Sequence, residues 1–266
     1  CVGFITIPLI KHISKYRNLC FALKSLLKNE NNIPVCFIIY GIHSPFLKAV
    51  EKIKKKSDKS KTCLIVPDLP EYMSESKSKI YRLLKSIDRI IISKSLWAID
   101  SYILLSPYMA ERLPISNKPW MVMEGIYNTS NDITNVPKEP CKTILYSGSL
   151  EERYGIIDLI EAFMRINSSD YKLWLCGNGN VVEEIKNFQR KDSRIEYFGI
   201  LSKDEVFKLQ KKATILVNPR HSYEEYAKYS FPSKTMEYLA SGTPTLMSKL
   251  PCLPKEYEPY IYFFDD

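Results

Sequence analysis

The chain has 266 residues, 45% of them hydrophobic and 26% charged, with 38 Lys and Arg against 30 Asp and Glu for a net charge of +8. That balance excludes a disordered chain, and no stretch approaches the roughly 18 consecutive apolar residues a membrane-spanning helix needs. The 7 cysteines stand singly with no C-x-x-C spacing, and His12, His43 and His221 are the only histidines, which argues against a structural zinc site or a dithiol redox centre. Several cysteines fall in apolar runs, so reduced core cysteine in a cytosolic protein is expected.

In chain order, the first half offers strands at Val2–Ile7, Val35–Tyr40, Cys63–Val66, Tyr102–Leu105 and Met121–Met123, with helices at 15–28, 45–56 and 77–96. The polar stretch 126–141, with Pro137 and Pro140, reads as a linker between two domains, 1–125 and 142–266. The second half has sharper punctuation. Strands are expected at Thr143–Ser147, Lys172–Cys176, Ile195–Phe198, Thr214–Asn218, Pro244–Met247 and Tyr260–Phe264, most of them stopped by a glycine or proline. Helices fit 155–166, 181–189, 203–212 and 233–241 between them. Such β–α alternation with short connections predicts an α/β protein of two doubly wound, Rossmann-like domains, with ligands bound outside the carboxyl ends of the strands in a cleft between the domains.

The charge is uneven: residues 1–140 carry +9 and residues 141–266 carry −1. The run Lys52–Lys61 and the segment Lys77–Lys94 concentrate the excess, which fits a solvated helical face, an anionic lipid surface or a nucleic acid. No aromatic residues interleave with the lysines of 52–61, which disfavours nucleic acid.

Three stretches could carry chemistry. In YAKYSFPSKTMEYLASGTP (226–244), Pro232 and Ser233 open a helix, Ser233 as its N-cap, and Gly242 closes it. Lys234 and Glu237 are three residues apart near the positive end of that helix. A helix start with an added Lys suits a phosphate, and a carboxylate one turn along suits ribose hydroxyls. An ordinary surface Lys–Glu pair would look the same. In YSGSLEERYG (146–155), Gly148 and Ser149 leave backbone N–H groups open to a ligand, and Arg153 offers a phosphate fork. The GNG of 177–179 is a tight turn after a strand. In the first half, His43 follows strand 35–40, and Asp68 follows strand 63–66 within VPDLP. No carboxylate pair at glycosidase spacing is recognisable, and no metal cluster is expected, Asp265–Asp266 standing without companions.

The ordered set YSGSL, RYGI, LIEAF, LWLCGNG, IEYFGIL and FPSKTMEYLASGTP resembles the nucleotide-sugar domain of GT-B glycosyltransferases, and is most similar to family 4, among bacterial enzymes that build surface polysaccharides. The resemblance covers nearly all of 141–266. It implies that Glu237 holds the donor's ribose, that Lys234 meets the diphosphate with a basic residue of the first loop, that Gly148 and Ser149 line the phosphate side with Gly177 and Asn178 nearby, and that the Tyr197–Leu201 region, including Gly199, borders the base. It further implies a place near the sugar for His43, and for Asp68 at the cleft mouth. The chain departs from the family in three places. Ser149 stands where an Arg is common, Tyr154 stands where a Lys is common, and Tyr229 occupies the position of the first acid of the Glu-x7-Glu pattern. Arg153, and Glu224 or Glu225, are the nearby substitutes.

The function expected is transfer of a sugar from a nucleoside-diphosphate sugar to a glycan or lipid-linked acceptor. The donor is a substrate and no cofactor is needed. Lys234, Arg153 and the helix 233–241 would absorb the leaving charge without a metal, and the resemblance favours retention at the anomeric carbon. The alternatives are a nucleotide-sugar 2-epimerase of related fold, or a non-enzymatic nucleotide- or nucleic-acid-binding protein. A cytoplasmic location, with docking of the basic first half on the inner face of the membrane, is expected. The chain starts at Cys1 with no leader and ends at Asp266 without closing helices, and it reads as truncated at both ends.

Overall fold

The structure is a computed structural model that describes residues 10–29, 34–55, 60–72, 79–115, 117–127 and 136–265. The strand expected at Val2–Ile7, most of the linker, and part of the lysine run at 52–61 lie outside the described residues. The chain divides into two compact units, Cys1–Glu124 and Gly125–Asp266.

The first unit contains α1 (Ile10–Asn29), β1 (Cys36–Tyr40), α2 (Ser44–Lys54), β2 (Lys61–Val66), α3 (Lys79–Ser95), β3 (Ser101–Leu104), the single turn α4 (Met109–Arg112) and β4 (Trp120–Val122). Its strands are all parallel, in the order β1-β2-β3-β4. The apolar face of α2 (Leu47, Ala49, Val50, Ile53) is buried, as its i, i+3 spacing requires. Lys52, Lys54 and Lys55, at the end of α2, contact other groups of this unit. Lys54 ion-pairs with Asp100, Lys55 pairs with Glu51 at 2.7 Å, and Lys52 lies 5.6 Å from the Tyr16 ring. Cys36 is exposed and Cys63 half-buried, whereas Cys20, Cys176 and Cys252 are buried; all are free thiols.

The second unit contains β5 (Lys142–Ser149), α5 (Ile156–Met164), β6 (Tyr171–Asn178), α6 (Val182–Lys191), β7 (Ile195–Tyr197), α7 (Lys203–Lys212), β8 (Ile215–Asn218), α8 (Ser233–Ser241), β9 (Thr245–Ser248) and β10 (Tyr262–Phe264). The sheet is wholly parallel, in the order β10-β9-β8-β5-β6-β7. Winding runs outward from β5 to β7, then returns to the other side of β5 and runs out to β10. The reversal lies between β5 and β8. Successive residues of β5 serve opposite faces: Leu145 packs with Trp174, Leu216 and Tyr238, and Tyr146 packs with Ile156, Ile160 and Phe163. With both faces covered, the strands read as continuous apolar runs rather than alternating ones. Helix α7 starts in a full capping box, Ser202 with Glu205. Helix α8 ends at Gly242, whose φ of 73° is the left-handed conformation that closes a helix.

Candidate functional site

The reversal of winding leaves an opening in the sheet. Strand β5 pairs with β8 only at Ile144 and Leu145, but with β6 all the way to Ser149↔Asn178. Beyond Leu145, therefore, the two central strands part at their carboxyl ends, where open α/β sheets bind ligands. The hydroxyl of Tyr238 fills part of this gap, accepting the Ser147 N–H at 2.9 Å and lying 3.3 Å from the Ser147 carbonyl. Gln210 donates to the Ser147 hydroxyl at 3.0 Å. Burial pushes the Tyr238 phenol up to about 12.

The loop after β5 is shaped by close backbone approach. A Cβ at Gly177 would stand 1.8 Å from the Gly148 carbonyl oxygen, and Gly177 has φ +138°. The Gly177 N–H donates to the Gly199 carbonyl at 2.8 Å, and the Tyr197 hydroxyl donates to the Gly177 carbonyl at 2.9 Å. The Leu150 N–H bonds the Asn178 carbonyl at 2.9 Å, and the Tyr146 hydroxyl bonds the Ser149 carbonyl at 2.8 Å. The expected residues Gly148, Ser149, Gly177, Asn178, Tyr197 and Gly199 thus form one cluster at the carboxyl ends of β5 to β7. Within it, the Tyr197 hydroxyl is engaged in holding the turn after β6.

Helix α8 enters beside this cluster. Pro232, not Ser233, is its N-cap residue, and no side chain caps it. Proline's fixed φ suits the boundary and places Ser233 in the first turn, where a hydroxyl one residue late cannot fold back to cap. The Thr235 N–H bonds the Pro232 carbonyl at 2.8 Å, so the uncapped start leaves the N–H groups of Ser233 and Lys234 for a ligand or water. Lys234 and Glu237 are both one-third exposed and joined at 2.8 Å. The Lys234 charge reaches the Cys176 thiol at the end of β6, where burial raises the thiol pKa and Lys234 opposes that rise. Glu237 acts on Tyr127, whose phenol is raised by burial and then by this carboxylate. The pair therefore sits between the end of β6 and the first residues of the unit.

Arg153 is exposed and rests 4.9 Å from the Tyr154 ring, donating to the Tyr154 hydroxyl at 3.1 Å, while its carbonyl accepts the Tyr226 hydroxyl at 2.7 Å. Sequence reasoning missed Arg220, which stands two residues past the end of β8 and lies 4.5 Å from the Tyr154 ring and 5.6 Å from the Tyr226 ring. Its position two residues after the strand TILVN, next to the reversal of winding, was the available signal. Tyr238, Gln210 and Tyr127 were missed as well. Of the acids considered beside Tyr229, Glu224 is half-buried ahead of a short turn at Glu225–Lys228, Glu225 is exposed, and Tyr229 itself is buried.

His43 and Asp68 belong to the first unit. His43 is the N-cap residue of α2, without a capping bond, its ring edge-on to Phe46 at 5.7 Å. Partial desolvation and the Lys15 charge hold its pKa below the usual imidazole value, with Asp88 opposing. Asp68 is exposed just past β2. Both thus stand at the carboxyl ends of neighbouring parallel strands. Among the described residues no three His, Cys, Asp or Glu side chains gather in a metal-binding arrangement, and no helix is long and apolar enough to cross a membrane.

Residues 141–259 match the family model of the group 1 glycosyl transferases. No curated protein sequence matches the chain. Solved structures do. A lipopolysaccharide outer core galactosyltransferase, WaaB, aligns at 17% identity with a TM-score of 0.62, over 98% of this chain and 68% of that one. HepE of Anabaena, solved with UDP, aligns at 11% identity with a TM-score of 0.65, over 98% and 71%. The pneumococcal O-GlcNAc transferase GtfA, solved with UDP and GlcNAc, aligns at 14% identity with a TM-score of 0.60, over 95% and 49%. The chain thus spans between about half and seven-tenths of these proteins' lengths. It has the fold of the GT-B glycosyltransferases, and within its second unit residues 141–259 are similar to the group 1 glycosyl transferases.

Proposed function

We propose that the protein transfers a sugar from a nucleoside-diphosphate sugar to a glycan or lipid-linked acceptor. The observation that carries this reading is the Lys234–Glu237 pair at the uncapped start of α8, beside the carboxyl ends of β5 and β6. Departure of a nucleoside diphosphate builds negative charge on the β-phosphate, and fixed cations and helix N–H groups stabilise that charge without reorganising. On this reading Lys234 and the N-terminus of α8 face the diphosphate, with Arg153 at the first loop. Glu237 exchanges its bond with Lys234 for the ribose hydroxyls. The charge is assigned to these groups rather than to a metal ion, and transfer retains the anomeric configuration.

Thermal shifts against a panel of UDP, GDP, ADP and CMP sugars test the reading. A donor at about 100 times its Kd stabilises the native state by about 2.7 kcal/mol. No shift with any member of the panel would reject it.

The acceptor side is assigned to an anionic lipid surface at the inner face of the cell membrane. Helix α3 exposes Leu83, Leu84, Ile87 and Ile90 on one face, among Arg82, Lys85, Arg89 and Lys94, and α1 contains no acidic residue. Apolar residues flanked by cations suit an interfacial helix. The protein should sediment with vesicles containing phosphatidylglycerol, and Ile87→Glu should release it. Equal partitioning onto neutral vesicles would reject this part.

A further inference from the structure

The Arg220 side chain is held in place but not neutralised. One Nη donates to the Ser230 carbonyl at 3.1 Å, and the guanidinium lies 4.5 Å and 5.6 Å from the Tyr154 and Tyr226 rings. Among the described residues no carboxylate is within ion-pair distance, and its Nε and second Nη have no acceptor. A half-buried, positioned guanidinium with one edge of its fork unmatched is built to meet a planar or tetrahedral anion.

The position supplies the ligand class. Arg220 follows the carboxyl end of β8, which borders β5 where the winding reverses. Its two aromatic supports come from the first loop (Tyr154) and from the segment before α8 (Tyr226), and Ser230 lies two residues before the N-cap of α8. Arg220 therefore ties together the two elements that flank the expected phosphate position. Its charge also reaches Tyr146, whose hydroxyl holds the Ser149 carbonyl; burial raises that phenol's pKa, and Arg220 opposes the rise. The same occurs at Tyr226, which burial raises to about 12 against the pull of Arg220.

We infer that Arg220 binds the diphosphate of the donor, as the second fixed cation of the site opposite Lys234, with Tyr154 and Tyr226 holding its guanidinium plane. The inference rests on the nucleotide-sugar reading for the identity of the ligand. Arg153, exposed and 4.9 and 5.8 Å from the same two rings, is then the lesser contributor.

The test is calorimetric titration of the whole chain with inorganic pyrophosphate and with UDP, GDP and ADP and their nucleosides, GDP or ADP and its nucleoside taking the place of UDP and uridine if that is the nucleotide bound. Arg220→Gln should raise the Kd for UDP and for pyrophosphate at least tenfold and leave uridine binding unchanged, whereas Arg220→Lys should recover part of the loss. Arg153→Gln should cost less than Arg220→Gln. Because Arg220 also holds Ser230, a measurement on the unmodified protein accompanies the variants: UDP and pyrophosphate should protect Arg220 from phenylglyoxal, mapped by mass spectrometry, and uridine should not. UDP binding by wild type with unprotected Arg220, or with an unaltered Kd in Arg220→Gln, overturns the inference and leaves the donor reading standing. Pyrophosphate binding that depends on Arg220, without binding of any nucleotide, overturns the donor reading and keeps the anion site. Absence of all binding overturns both.

Discussion

The backbone N–H of Ser147 is bonded to the hydroxyl of Tyr238, 91 residues away, at 2.9 Å instead of to the neighbouring strand β8. This one contact holds open the sheet's central seam while keeping a buried donor satisfied. Tyr238→Phe leaves that donor buried without a partner, at a cost of about 1–3 kcal/mol. The midpoint temperature should fall by about 2–4 °C per kcal/mol. A melting curve indistinguishable from wild type would show that water or β8 takes over the bond.

Lys234→Ala removes a fixed cation from the start of α8, and turnover should drop by about 10²-fold or more, as for loss of a preorganised electrostatic contact. Donor hydrolysis and transfer both at wild-type rates would remove Lys234 from the site.

If Glu237 accepts hydrogen bonds from the ribose hydroxyls, as proposed, wild type should favour UDP over 2′-deoxy-UDP, and Glu237→Gln should narrow that preference by about tenfold, or about 1.4 kcal/mol. Competition binding with the two nucleotides measures the ratio. An unchanged ratio would place the carboxylate away from the sugar.

Gly177→Ala puts a methyl 1.8 Å from the Gly148 carbonyl oxygen, at a φ of +138° that side chains rarely adopt. The β5–β6 ends must separate, and we expect more than about 2 kcal/mol of destabilisation. Nucleotide binding should be lost even in whatever fraction remains folded. Gly199→Ala is a graded control, since nothing lies within 4 Å of its added Cβ and only the φ of 71° is strained.

Arg194 donates to both carboxylate oxygens of Asp192, at 2.7 to 3.2 Å, and its other Nη reaches the Ile166 and Ser168 carbonyls. The guanidinium holds the Asp192 carboxyl below the usual range. A depressed folded-state pKa adds stability above the unfolded value of about 3.9, and that stability is lost as pH falls through the folded value. Wild type should therefore exceed Asp192→Asn in melting temperature at pH 7, with the gap closing as pH drops below about 4. A gap independent of pH from 7 to 3 would mean the carboxylate's charge is immaterial.

How far the fold could be read from the residues varied along the chain. The strands of the second unit stood out because both sheet faces are covered, so LWLC and TILVN are unbroken apolar runs closed by Gly or Pro. Helix α7 was legible at 203–212, though its Ser202–Glu205 capping box was not picked out, and the end of α8 was marked by Gly242. In the first unit the same reasoning located β1 to β4 to within two residues. It set the start of α1 five residues late, since Ile10 to Ser14 have no capping signal. The run Lys52–Lys61 read as a basic surface, but Asp100, Glu51 and Tyr16 engage its Lys54, Lys55 and Lys52.

The sequence by itself determined a parallel α/β chain, the positive helix start carrying Lys234 and Glu237, and the glycines at 148 and 177, because these depend on neighbours one to four residues away or on one turn of helix. Only the tertiary structure decided that β5 and β8 part beyond Leu145, that Tyr238 fills the seam, and that Arg220 rests on Tyr154 and Tyr226. Those contacts join residues as far as 91 positions apart, and their partners are chosen by the return of the chain across β5, an event no local pattern encodes.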